Sequence, residues 1–477
     1  MTGEFAVTGE KESLEKAERS VFQRCQYLLG KTPFERLAEA RVDVSYTHPQ
    51  GEWNGSADLS AVRYDVSYCR QALIPHKRRV TDYAPVINAT LQTLSEEGGG
   101  TLIIPEGEYY VSALRLPSHT CLRLDPFATL RFIRSNEEQA YPLTLRRVAG
   151  YDCLARSPLI SIENAGEVAL TGTGLIDGRA SLFDYHPVKY GLFGEPCEEQ
   201  DLKRLRTWAS EGVAPLKRVF PVARGTLRPP LIGIRNAHHV SLDGLKLRHS
   251  PWHVIDACDS HHLRIKSLEI GSLLFDNDAL TLNNCQKVSV EETRFKISGT
   301  SFVLEAGGET EGHTENFYAG DNLVEGGCAV LSIGPCLKGS VDKLQLNHNH
   351  YLSPDAKHLL KVCLAPGASG KIGELSVDGG ELRGTEGALI DIDLRTGRGA
   401  VRFDKLSVSH LHSAGDCGAG AALKVEVDDA SQLGQLNFEG VRLYGVRELC
   451  PALTRCALSL REVFINGREV REVRFKD

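Results

Sequence analysis

Residues 238–247 read HHVSLDGLKL, residues 261–270 read HHLRIKSLEI and residues 286–295 read QKVSVEETRF. In each, a polar turn is followed by apolar residues at alternate positions, the period of a strand with one buried face. The same phrase returns as DKLQLNHNHY, GELSVDGGEL, DKLSVSHLHS, GQLNFEGVRL and REVFINGREV, with a weaker copy near Phe317. Its first apolar positions are Val240, Leu263, Val288, Leu344, Leu375, Leu406, Leu436 and Val463. A second strand series lies between the copies: PLIGIRN, HVIDACD, DALTLNN, SFVLEAG, AVLSIGP, LLKVCLA, ALIDIDL and ALKVEVD.

Two or three short strands per repeat, with Gly, Asn and Asp at the corners and no helices between, suit an all-β parallel β-helix whose coils stack their inward apolar residues. Ordinary antiparallel hairpins would need closer spacing and two-residue turns. A solenoid needs a cap. Residues 82–96, DYAPVINATLQTLSE, place Ile87, Leu91 and Leu94 at helical spacing behind Asp82 and ahead of Gly98–Gly100, which predicts a capping helix. The expected organisation is a helical or irregular N-terminal extension over 1–79 and a β-helix over 80–477. Residues 183–226 form an insertion whose stretch EEQDLKRLRTWASEG reads as helical. The extension could serve homo-oligomer formation.

The 477 residues carry 55 basic and 62 acidic side chains, a formal net charge of -7, and no basic tract, which argues against nucleic-acid binding. No apolar run is long enough to span a membrane, so no membrane partner is expected. The first twenty residues lack a positive segment followed by an apolar one. Thirteen scattered cysteines without a CxxC pair read as reduced thiols, with no metal or cofactor. Together these predict a cytoplasmic protein, or a secreted one if a signal precedes this sequence in nature.

Several strings, GGGTLIIPEGEYYV, VALTGTGLIDG, LRPPLIGIRN and HSPWHV, together resemble in order and spacing the polygalacturonases of glycoside hydrolase family 28, over roughly residues 80–400. The resemblance implies a right-handed parallel β-helix of the pectin-lyase type, a cleft for a polysaccharide or oligosaccharide, commonly pectic, and metal-free hydrolysis by aspartates. That family's N-T-D motif aligns with Asn277 and Asp278. Its paired aspartates, however, fall on Gly299 and Thr300, its histidine falls near Ala329, and its R-I-K motif falls on Leu359 and Lys361. Hydrolysis requires a carboxylic acid to protonate the leaving oxygen and a carboxylate to activate water. The acid and base must therefore have moved, or turnover is lost.

Strand parity names the replacements. With Leu280, Leu282, Phe302 and Leu304 inward, Thr281, Thr300 and Glu305 face the outer side, with Asp278 at the strand entrance. The preceding coil presents Asp256 and His253. Asp256, Asp278 and Glu305 are the candidate catalytic set. Lys361, Arg228, His253, Thr281, Thr300 and Trp208 are candidate substrate contacts. Asp276 and the repeated His-His pairs read as corner residues. The expected function is hydrolysis of a glycan by a relocated acid and base. The alternatives are a carbohydrate-binding or scaffolding β-helix without turnover, and a lyase or transferase on the same fold.

Overall fold

The structure is a computed structural model. It describes residues 81–471 except 136, 182–187, 190–196, 223–225, 273, 275, 353–356, 384–386, 417–418 and 448–456. Of residues 1–80 it describes the backbone of strands Ala6–Thr8, Tyr27–Leu28, Ala40–His48, Gly51–Asp58, Val62–Ser67 and Lys77–Asp82. The extension expected to be helical or irregular over 1–79 thus lies largely outside the described residues, and those of it that are described are strands.

The chain is a right-handed parallel β-helix divided into two compact units, residues 1–146 with 152–254, and residues 255–477 with the short segment 147–151. In the first unit Leu102, Leu122, Leu170 and Leu242 stand in register on successive parallel strands, all but fully buried. The capping helix runs Ala84–Glu96 and buries Ile87, Leu91 and Leu94. It starts one position later than the sequence suggested. Tyr83 occupies the cap, while Asp82 Oδ1 accepts the Ala84 and Ser112 amides at 2.9 and 2.8 Å. Gly98 and Gly99, at φ 100° and 108°, end it in a conformation that side chains disfavour.

The insertion contains the helix Glu198–Ser210, with Glu198, Glu199 and Asp201 in its first turn, where the helix dipole favours negative charge. Glu198 also forms a two-point ion pair with Arg228 at 2.9 Å on both oxygens, and Asp201 Oδ2 accepts the amide and hydroxyl of Thr226 at 2.9 and 2.7 Å. No helix among the described residues is long and apolar enough to cross a membrane.

The second unit contains the repeat that decides the fold. Leu263, Val288, Phe317, Leu344, Leu375, Leu406 and Leu436 are in register on consecutive strands, and Phe317 fills the weak copy. The last rung differs from the sequence expectation. Leu436 pairs with Leu458, and Val463 is a buried residue at the following corner. A second face stacks Ile255, Leu280, Phe302, Leu331, Leu360, Ile390 and Leu423 in the same way. Phe295, Phe302 and Phe317, one from each of three sheets, meet edge to face in the core, with ring centres 5.1 and 5.3 Å apart.

Corner chemistry explains the paired histidines. His239, His262 and Lys287 take φ of 54°, 56° and 54°, each directly before an inward residue, and each fills the same turn. At another corner Asn322 and Asn349 form a buried ladder. Asn349 Oδ1 accepts the amide and side chain of Asn322 at 3.0 and 2.9 Å, and Asn322 Oδ1 accepts the Thr293 amide at 2.9 Å. Backbone groups turned away from the sheets are thereby satisfied.

Removing the central ring of the aromatic triplet leaves a cavity that neighbouring coils, held by their own ladders, cannot fill. Phe302→Ala should therefore lower unfolding free energy by about 3–5 kcal/mol in chemical denaturation.

Candidate active site

The site is built on strands Ile255–Cys258, Leu280–Asn283 and Thr300–Ala306 of the second unit. With Leu280, Leu282, Phe302 and Leu304 inward, register sets two outward columns. One runs Asp256, Thr281, Val303, Ser332, Lys361, Asp391 and Lys424, and the other begins Cys258, Asn283 and Glu305. Successive members stand about 4.8 Å apart.

Within this frame Asp256, Asp278 and Glu305 come together. Thr281 Oγ1 donates to Asp256 Oδ1 at 2.7 Å. Asp278, on the turn leading into its strand, accepts the Thr300 amide on Oδ1 at 2.7 Å. Glu305 accepts the Cys336 amide on Oε1 at 3.1 Å and the Asn283 side chain on Oε2 at 3.3 Å. All three carboxylates are partly buried. Burial pushes the Asp278 carboxyl up to about 7, and the negative charges of Asp276 and Glu305 push the same way against the Thr300 hydrogen bonds. Glu305 is also raised, first by burial and then by Asp256, but the donors from Cys336 and Asn283 oppose the rise.

Lys361 is partly exposed and belongs to the Asp256 and Thr281 column, two coils beyond Val303. Leu359, at the position of the family arginine, is buried. Thr300, expected to face outward with Glu305, instead shares the parity of inward Phe302 and Leu304, because side chains alternate along the strand; it is buried at the strand's start and bonds Asp278 through its backbone and its side chain. Gly299 has no room for a side chain. A Cβ there would lie 2.4 Å from the Asn277 carbonyl oxygen and 2.6 Å from Asp278 Oδ1.

The remaining candidates lie in the first unit. Arg228 is buried against Glu198 and also donates to the Pro251 carbonyl at 3.2 Å, so it anchors the insertion helix. Trp208 packs on Phe220 at 5.4 Å and under Arg204 at 4.5 Å. The His253 ring lies 3.8 Å from that of Trp252. Among the described residues no group of three or more His, Cys, Asp or Glu side chains is placed to hold a metal ion.

Three residues near Glu305 have no counterpart among the sequence candidates. Asn283 could have been found by carrying the Glu305 column back one coil. Cys336 contributes chiefly a backbone amide, to which sequence pattern is blind. Arg147 belongs to the segment 147–151 and reaches Asp259 Oδ1 at 2.9 Å and Asn283 Oδ1 at 3.5 Å.

Among solved structures, the chain is similar to an exopolygalacturonase of Thermotoga maritima, at 24% identity and a TM-score of 0.73, over 82% of this chain and 89% of that one. It is also similar to a family 28 exopolygalacturonase of Yersinia enterocolitica, at 14% identity and a TM-score of 0.53, over 97% of this chain and 91% of that one. At these identities the shared property is the β-helix fold. No protein-family model matches the chain, and no curated protein matches it.

Two outcomes follow from the site geometry. Gly299→Asp, which puts back a carboxylate at a family position, should destabilise the fold and displace Asp278, seen as a lowered denaturation midpoint. The raised Asp278 carboxyl holds its proton in the folded chain between pH 4 and 7, where the unfolded chain has released it. Folded protein binding the extra proton means stability falls as pH rises through that window, by up to about 4 kcal/mol from this group. Asp278→Asn should flatten that part of the slope when denaturation midpoints at pH 4, 5.5 and 7 are compared with wild type.

Proposed function

We propose that the chain is a glycoside hydrolase in which Asp278 is the general acid and Glu305 the general base. The observation that carries this reading is that Asp256, Asp278 and Glu305 lie on three consecutive coils of one outward face, close enough for Glu305 to feel the charge of both others. The fold shared with the two exopolygalacturonases supports a glycan as the substrate, a polysaccharide or oligosaccharide of pectic or related type.

The division of labour follows from the hydrogen bonds. Asp278 has burial and two negative neighbours against the Thr300 donors, so it is still protonated near neutrality and can donate to the leaving glycosidic oxygen. Its Oδ1 accepts the Thr300 amide at 2.7 Å, which fixes the orientation of the carboxyl. Glu305 is held toward the charged form by the Cys336 amide and the Asn283 side chain, as suits the group that takes a proton from attacking water. The C–O bond then breaks with the proton on the departing sugar and hydroxide on the anomeric carbon. Asp256 adds negative charge beside Glu305 and supports the positive charge that grows on the sugar ring. A neutral sugar fits this reactive position better than a uronate. Four carboxylates, with Asp276, surround it, and buried Leu359 replaces the cation that would pair with a substrate carboxylate.

The competing reading is a binding β-helix without turnover. It draws on the fact that each of the three carboxylates already holds a hydrogen bond from the protein, as solenoid ladder residues do.

Turnover of a library of neutral and acidic oligosaccharides separates the two. Asp278→Asn and Glu305→Gln should each lower kcat by about 10²–10⁴. The wild-type rate should fall on the alkaline side as Asp278 loses its proton near pH 7. A wild-type rate that survives both substitutions would exclude this acid and base, and wild-type inactivity on every glycan would favour the binding reading.

A further inference from the structure

We propose that Arg147 is a positioning residue for Glu305, acting through the side-chain amide of Asn283; its role as a base-positioning group rests on the hydrolase reading above. One terminal nitrogen of Arg147 reaches Asp259 Oδ1 at 2.9 Å and Asn283 Oδ1 at 3.5 Å. On its other side, Asn283 Nδ2 donates to Glu305 Oε2 at 3.3 Å and to the Gly307 carbonyl at 2.9 Å. Only this orientation of the amide pairs a donor with an acceptor on both sides. Turned over, it would point its NH2 at a guanidinium and its carbonyl at a carboxylate. The cation on one side and the Gly307 carbonyl on the other therefore favour the same rotamer, the one that serves the base, and the cation acts without touching Glu305 through any of these bonds.

The surroundings hold Arg147 in place. Asp259 Oδ1 also accepts the Asn284 side chain at 2.9 Å, and Asn284 Oδ1 accepts the Gly307 amide at 2.7 Å, so the acidic anchor belongs to the same coil edge as the amide. The segment that carries Arg147 approaches this edge through backbone. A Cβ on Gly150 would lie 2.8 Å from Cys336 Sγ and 3.3 Å from Gly308 Cα, and one on Gly308 would lie 2.0 Å from the Gly150 carbonyl oxygen. Two glycines facing each other allow residues 147–151 to sit this close. The arginine side chain is mostly buried, at 14% exposure, which shields it from competing water.

Among the described residues, the charged and titratable groups around Glu305 are Asp256 and Asp278 from the two preceding coils, Cys336 from the following one, and Arg147 with Asp259 across Asn283. Asp256 and Asp278 disfavour its charge, and Cys336 and Asn283 favour it. Losing the Arg147 hold on Asn283 leaves the amide anchored on one side only, by the Gly307 carbonyl, so its donation to Glu305 loosens and the carboxyl becomes harder to ionise.

The test is the titration of Glu305, followed by carbon-13 NMR of the full chain with glutamate carboxyls labelled and the resonance identified by its loss in Glu305→Gln. It needs no substrate, so it stands apart from whether any glycan is hydrolysed. Arg147→Gln should move the Glu305 midpoint upward by roughly half a pH unit or more. Arg147→Lys should recover most of that displacement, and Asn283→Leu should reproduce it. Adding Arg147→Gln to Asn283→Leu should cause no further movement. Should Arg147→Gln fail to fold, Asn283→Leu with and without Arg147→Lys gives the same comparison. An unmoved midpoint in the folded variants overturns the proposal. So does an equal displacement by Arg147 changes when Asn283 is already absent, because the arginine would then act directly through space. If the wild type hydrolyses glycans, the acidic limb of its kcat profile should shift with the midpoint while KM stays close to wild type. If it hydrolyses none and the midpoint still moves, the positioning stands and the hydrolase reading fails.

Discussion

Everything on the outer surface of this molecule depends on one constraint, the in-register stacking of inward apolar side chains from coil to coil. Leu280 lies under Phe302, Phe302 under Leu331 and Leu331 under Leu360, and the intervening residues have no choice of face. A slip of one residue would exchange core and surface along a whole strand. The stack therefore fixes two functional quantities at once, which side chains face out and how far apart along the stack they stand. Asp256 beside Thr281, and Asn283 beside Glu305, are consequences of leucines that take no part in any chemistry.

On that frame, a few hydrogen-bond donors make neighbouring carboxylates behave differently. Asp278 and Glu305 are both partly buried and both sit among like charges, conditions that favour the neutral acid. Asp278 meets the backbone and side-chain donors of Thr300. Glu305 meets the backbone amide of Cys336, its side chain, and the Asn283 amide. Two carboxyls in a shared field titrate as a coupled set, and the donors on each oppose the rise that burial and the neighbouring charge impose. In such a site a donor supplied by the chain is as consequential as the carboxylate it faces.

The parts of this arrangement that repeat were legible in the sequence. The parity of Leu280, Leu282, Phe302 and Leu304 could be read directly, and with it the outward placement of Asp256, Thr281 and Glu305. What could not be read comes from segments that meet only in three dimensions. Arg147 lies 136 residues before Asn283, in a segment outside the repeat, and its contact depends on two facing glycines that carry no periodic signal. Arg228 stood in a recognisable string, yet nothing in that string tells that Glu198, thirty residues earlier, would claim both of its forks. At the last rung, the pattern at Val463 imitated a strand start. The register instead chose Leu458, because pairing with the coil below outweighs local pattern.

Gly299 shows why the carboxylates are distributed as they are. A side chain at this position would collide with the Asn277 carbonyl and with the Asp278 oxygen that accepts the Thr300 amide. The tight crossing that gives Asp278 its backbone donor is therefore the same crossing that forbids an acidic pair beside it. A second carboxylate on that coil has to stand farther along the strand, where the register with the next coil shifts between Leu304 and Ala306 and the preceding coil presents a polar partner. Glu305 meets both conditions. It follows Leu304 on the outward face and lies directly over Asn283, the residue whose amide can stabilise its charge. The spacing between Asp278 and Glu305 thus follows from where the backbone leaves room and where a neighbouring coil supplies a donor.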